Sequence, residues 1–159
     1  MSLGTVVTIA GPKGERTASL EEILTGYYET SLEKDELITS VLVPSQGKKR
    51  GAYMKVTTGS ADDWPALGVA AVIEANGNAI KSACLVASAA TDKATRLKSA
   101  EAAVAGKTVD DKLLREAGEA ALGDCEFIAD VRGSVPYKRE LMKVYVRRAI
   151  REALDGGTH

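Results

Sequence analysis

The sequence is short of the residues that most self-contained catalytic sites use. Histidine occurs once in 159 residues, as the terminal His159, which removes Ser-His-Asp and Cys-His catalysis and histidine-ligated metal sites. Two cysteines, Cys84 and Cys125, are too few for a disulfide framework, a four-thiolate zinc site or an iron–sulfur cluster. Both read as small buried hydrophobes. Aromatic residues make up only 4%, so the core must be built from Ala, Val, Leu and Ile, and stacking platforms for bases are not expected. Neither sign of charge dominates: 21 Lys and Arg against 22 Asp and Glu leave a net charge of -1. Such a chain has no global field for a polyanion, and nucleic acid is not an expected partner. No apolar run approaches the ~18 residues of a spanning helix, and no basic segment leads into a long apolar stretch. A cytoplasmic protein without a membrane span or secretory signal is expected.

What is present suffices for a folded domain. Hydrophobic residues are 45% and charged residues 27%, away from the disordered corner of composition. The length suits one compact core, so a single domain over residues 1–159 is expected. Strand-like sequence starts abruptly at Thr5-Val6-Val7-Thr8-Ile9-Ala10, which reads as the start of an excised fragment. Turn formers Gly11 to Gly14 follow, then the capping-box pattern Ser19-Leu20-Glu21-Glu22 before a short helical turn that Gly26 stops. Residues 36–43, ending at Pro44, carry apolar residues on both parities and predict a strand covered on two faces. Leu67, Val69, Ala71 and Ile73 alternate into Asn76-Gly77, which predicts a hairpin with a type I′ turn returning through Ser88. Beyond Ala90 the period becomes helical. Leu97, Ala100 and Val104 share one face, Leu113, Leu114, Ala117 and Ala121 another, and a third helix starts near Ser134 with Pro136 in its first turn. Strands first and helices afterwards predict an α+β fold, an antiparallel sheet of three to four strands packed against about three helices.

Candidate chemistry is sparse. Gly11-Pro12-Lys13-Gly14 lacks the spacing of a phosphate loop and reads as a turn. Asp62-Asp63 has no third ligand nearby, so no metal site is expected. Trp64, between those acids and Pro65, either plugs the core edge or faces a flat ligand or partner. Tyr27-Tyr28 poses the same choice. The last helix carries Lys138, Arg139, Lys143, Arg147, Arg148 and Arg151 as a basic face, opposite a stripe of Tyr137, Leu141, Tyr145 and Ala149. That face is either solvated or meets an acidic partner. No catalytic residue can be named.

Three stretches together carry a resemblance. The first is Gly11-Pro12-x-Gly14-x-Arg16, then Leu20-x-x-Ile23-Leu24-x-Gly26-Tyr27-Tyr28-x-Thr30-x-Leu32 and Asp35-Glu36-Leu37-Ile38. The second is Gly51-Ala52-Tyr53-x-Lys55 with Asp62-Asp63 and Leu67-x-Val69-Ala70. The third joins Thr95-Arg96, Ala100-Glu101-x-x-Val104-x-Gly106, Asp130-x-Arg132-Gly133-Ser134-x-x-Tyr137 and Arg147-Arg148-Ala149. In this order they resemble, over residues 4–155, the C-terminal domain of the FAD-binding medium subunit of molybdenum hydroxylases, the group of aerobic carbon monoxide dehydrogenases and xanthine dehydrogenases.

The resemblance implies a domain that covers a flavin and does no chemistry by itself. It implies Tyr28, Lys55, Asp62, Asp63 and Trp64 as the residues nearest the FAD, although Thr57-Thr58-Gly59-Ser60 stands where many relatives carry arginine. FAD would belong to the complete subunit and would not be retained by this chain alone. The implied partners are an N-terminal FAD-binding region of the same subunit, a molybdenum-binding large subunit and an iron–sulfur small subunit, with electrons passing from the clusters to FAD. The reading from a different class is a non-redox interaction module that docks a protein through the basic helix. An independent small-molecule enzyme would need a nucleophile or base that the sequence lacks.

Overall fold

The computed structural model describes residues 1–57, 59 and 63–156. Strands β1 (Val6–Gly11) and β2 (Gly14–Ser19) form an antiparallel hairpin whose turn ends on Gly14 at φ 111°, a backbone state that side chains resist. Ser19 then caps the single turn α1 (Leu20–Ile23). Its hydroxyl accepts the Glu22 N–H at 3.2 Å while the Glu22 carboxylate accepts the Ser19 N–H at 2.7 Å, the reciprocal box that the sequence predicts. Two short strands, β3 (Leu24–Gly26) and β4 (Glu29–Thr30), pair across Tyr27 and Tyr28. β5 (Leu37–Leu42) returns antiparallel to β1, giving a three-stranded sheet of order β2-β1-β5.

A second sheet follows in simple meander order: β6 (Arg50–Val56), β7 (Leu67–Asn76), β8 (Ala79–Ser88) and β9 (Thr95–Arg96). Leu67, Val69, Ala71 and Ile73 all point into the core, as their alternation requires. Helices α2 (Lys98–Val104) and α4 (Val135–Asp155) cover that face, α4 across β6 and β7 and α2 across β8, while α3 (Asp111–Ala120) packs against both helices. Asp110 and Ser134 cap α3 and α4, and Gly156 ends α4 at φ 98°. Arg50 donates to the Leu154 carbonyl, placing a cation at the C-terminal end of α4. Where α3 meets α4 the backbones nearly touch: a Cβ on Gly118 would lie 2.6 Å from the Lys143 carbonyl oxygen. The α+β class and the helix-covered antiparallel sheet agree with expectation.

Four local expectations fail, each for a physical reason. β5 is exposed along its whole length, Leu37 at 74% and Leu42 at 65%, instead of covered on both faces. It is the edge of a sheet whose buried cluster is Val7, Ile9, Ala18 and Ile23 with Leu20 and Leu32, and among the described residues no helix lies over it. The hairpin turn places only Gly77, not Asn76, at positive φ, and Asn76 pairs directly with Ala79. Glycine at the first of two central positions satisfies the turn without a left-handed asparagine. The buried face of α4 is Lys138, Met142, Val146, Ala149, Ile150 and Ala153, rotated by about one residue from the stripe through Tyr137, Leu141 and Tyr145. Cys84 and Cys125 are only half-buried, because they sit at the margin of the core and not within it.

Candidate functional site

Four separate segments meet where Tyr27, Tyr28 and Trp64 are left in the open. The β3–β4 turn holds Tyr28 at φ 56°, a left-handed state uncommon for a bulky residue, with its ring edge-on to Tyr27 at 4.7 Å between centroids. Tyr28 is 81% exposed and Trp64 66% exposed, so neither plugs the core edge. The Trp64 loop is shaped locally: the Asp63 carboxylate accepts the Trp64 N–H at 2.8 Å, and Ala66 N–H donates to Val56 O at 2.8 Å to close its base. Across from both rings run the segment after β8 and the loop before α4. Together they enclose an open cleft of about 630 Å³, lined by both tyrosines, Trp64, Lys93, Ile128 and Arg132 among others.

The cleft wall is tied together by ions. Arg132 Nε donates to the Trp64 carbonyl at 3.0 Å, and its guanidinium lies 6.0 Å from the indole centroid. Asp130 accepts the Arg132 N–H at 2.8 Å on one oxygen and the Lys138 ammonium at 2.8 Å on the other. Lys138 also donates to Ala89 O at 3.1 Å, and Ala89 has φ 65°. Burial works to raise the Asp130 carboxyl, but the Lys138 and Arg132 hydrogen bonds outweigh it and leave it below the usual carboxylate range. Lys93 donates to Thr25 O at 3.2 Å, and Lys98 pairs with Glu21 at 3.5 Å; these contacts join β3 and α1 to the larger unit.

Of the residues named from sequence, Tyr28 and Trp64 line the same cleft. Asp63 supports the Trp64 loop without lining the cleft. Lys55 lies on β6, exposed and outside the lining. Asp62 lies outside the described residues. Sequence reasoning missed Lys93, Asp130, Arg132 and Lys138 as site residues. The signal for Asp130 and Arg132 was the Asp130-x-Arg132-Gly133-Ser134 run that leads into α4, and for Lys138 its helical spacing from Met142 and Val146; Lys93 carried none. Another quoted motif proves to be scaffolding: Arg96 binds Glu101 at 2.9 Å, and Glu101 also accepts the Leu85 N–H at 2.9 Å.

The chemistry this cleft can supply unaided is limited. Burial pushes the Cys84 thiol up and the Cys125 thiol up to about 12, so neither offers a thiolate at neutral pH. Among the described residues no three His, Cys, Asp or Glu side chains come together as metal ligands, and no helix is long and apolar enough to cross a membrane. Aromatic walls with two cations suit a flat, electron-accepting ligand held from elsewhere.

Comparison with known proteins gives a consistent answer. Residues 52–153 match the model of the CO dehydrogenase flavoprotein C-terminal domain, and residues 1–46 match that of the FAD binding domain in molybdopterin dehydrogenase. The carbon monoxide dehydrogenase medium chain of Hydrogenophaga pseudoflava is 29% identical over 91% of this chain and 50% of its own length. The nicotine 6-hydroxylase medium subunit of Paenarthrobacter nicotinovorans is 29% identical over 96% of this chain and 53% of its own length. A solved structure of carbon monoxide dehydrogenase from Hydrogenophaga pseudoflava, lacking the Mo-pyranopterin moiety of its cofactor, superposes with a TM-score of 0.91 at 28% identity, over 97% of this chain and 54% of that one. The chain thus spans about half the length of the curated relatives it matches.

Proposed function

The chain belongs to the CO dehydrogenase flavoprotein C-terminal domain family, and from that membership we propose that it covers the flavin of an FAD-carrying medium subunit in a molybdenum-dependent oxidoreductase. The observation that carries the reading is the open cleft walled by Tyr27, Tyr28 and Trp64. FAD, when bound, supplies the acceptance and release of electrons. The residues present fit one end of it. Tyr28 and Trp64 offer faces and edges to a flat ring, while the cleft offers no glycine-rich loop opening a helix for the phosphates. Those phosphates fall to the FAD-binding region of the same subunit, which is why this chain alone is not expected to hold the dinucleotide.

Within the cleft the side chains bind and orient. Arg132 and Lys93 bring positive charge to its rim, which favours electron density on a ring held there. Asp63 keeps the Trp64 loop in shape, with Lys55 and Asp62 flanking it in sequence. The exposed apolar residues Leu37, Val41 and Leu42 of β5 supply a surface for the rest of the subunit. A molybdenum-binding large subunit and an iron–sulfur small subunit complete the proposed cytoplasmic assembly. The interaction-module reading has no comparable observation behind it: on α4, Lys143 and Arg151 are paired with Glu119, Glu140 and Asp111, and Arg139 and Arg148 lie over Phe127 and Tyr145.

The test is the visible absorption spectrum of the native assembly that carries this chain, isolated from its source. Flavin and iron–sulfur bands in one complex are expected. A colourless complex overturns the proposal.

A further inference from the structure

We propose that Lys138 is a positioning residue for the cleft: its buried ammonium, acting through Asp130, sets where Arg132 holds Trp64. The starting point is a lysine side chain 0% exposed within an apolar helix face. Removing an ammonium from water is unfavourable unless its donors are matched, and an apolar residue of similar size commonly serves stability as well or better. Met142 and Val146 continue the same face one and two turns on, so the position suits a methionine. The charge therefore needs a reason other than packing.

The reason lies in what the ammonium joins. One bond goes to Ala89 O, at a residue held in a left-handed conformation, and the other to Asp130 Oδ2. These two segments are distant in sequence and both line the cleft. The second Asp130 oxygen accepts the Arg132 N–H, and Arg132 in turn holds the Trp64 carbonyl. Each link is charge-assisted or bound to backbone, so the orientation of one carboxylate passes from a buried helix position to an exposed ring. Trp64 has little packing to fix it. Among the described residues its backbone is held by Arg132, which donates to its carbonyl, and by Asp63, which accepts its N–H. The effect on access to the flavin rests on the function proposed above; the positioning itself does not.

Trp64 is the only tryptophan, so its fluorescence in this chain reports on the link without any cofactor. A guanidinium about 6 Å from the indole enriches iodide there roughly two- to threefold before salt screening, whereas neutral acrylamide does not respond. In Lys138→Met and in Asp130→Asn, iodide quenching relative to acrylamide should fall by about twofold toward the Arg132→Gln value. Adding either change to Arg132→Gln should alter nothing further, the signature of one coupled chain. Asp130→Asn, at a partly exposed position, decides the matter if Lys138→Met does not fold. A wild-type quenching ratio in Asp130→Asn or in folded Lys138→Met, whatever the melting temperature, overturns the proposal and makes Lys138 a packing residue. A shifted ratio with unchanged flavin bands in the complete assembly upholds the positioning and removes the flavin reading of the cleft.

Discussion

β5 and β7 are written in the same alphabet and meet opposite fates. Leu37-Ile38-Thr39-Ser40-Val41-Leu42 lies exposed at the edge of the small sheet, while Leu67 to Ile73 is buried between β6 and β8 beneath α4. β-Branched and aliphatic residues report that a strand suits a pleated, partly covered surface; they do not supply the cover. In the larger unit α2 and α4 furnish it, backed by α3, and the core runs from β6 to Leu154. In the small sheet four buried residues form the whole cluster, close to the least that a sheet of three strands can stand on. The two units coincide with the two family matches, which part between residues 46 and 52. Residues 50–155 thus hold the larger buried cluster, and the small sheet keeps β5 exposed.

The contrast can be broken by matched substitutions in the two regions. Leu85→Ala in the buried β8 should cost about 2–5 kcal/mol, whereas Leu42→Ala in β5 should stay within about 0.5 kcal/mol of wild type, both read from urea unfolding. Comparable losses at the two sites would erase the distinction. Gly118→Ala, where α3 and α4 touch, should cost about 1–3 kcal/mol by overpacking. Gly123→Ala, with open space around it, should be close to neutral in the same assay.

Acid should sharpen the comparison from the other side. Hydrogen bonds from the Arg16 guanidinium, and then from the Glu33 N–H, bring Glu36 down to about 2, and the Arg16 pair spans β2 and the approach to β5. A carboxyl lowered on folding stabilises fully above its ordinary value near 4.5 and ceases to do so as pH falls toward about 2. The small sheet should therefore loosen across that window in amide-resolved NMR, and Glu36→Gln should reduce this pH dependence, leaving the part due to Glu22, which its hydrogen bonds with Ser19 also lower, and the larger sheet unchanged. A small-sheet transition identical in Glu36→Gln would contradict the assignment. The smallest expected effect is on stability from Leu37→Ser and Val41→Ser, within about 0.5 kcal/mol, while both should reduce any self-association measured by sedimentation.

The sequence was legible where its signals are local. The β7–β8 hairpin announced itself by alternation and Gly77, the α1 turn by its capping box, and α4 by Ser134, Pro136 and Gly156. What it could not display was layering. Nothing in residues 37–42 distinguishes a strand with a helix above it from one without. Lys138 was hidden by its charge, which defaults to solvent unless a distant carboxylate is known to wait for it. Tyr28 and Trp64 stood out because aromatics are scarce, but their meeting across a cleft, and the ties through Arg132 and Lys93, are tertiary facts.

The most direct test of the account substitutes Trp64→Ala and Tyr28→Ala in the complete flavin-containing assembly and records its visible spectrum and the rate at which its flavin is reduced and reoxidised. Both residues are largely exposed, so folding should be little affected. The account predicts altered flavin bands and altered flavin kinetics with unchanged iron–sulfur bands. Flavin bands and rates equal to wild type in both variants would place the flavin away from this cleft and contradict it.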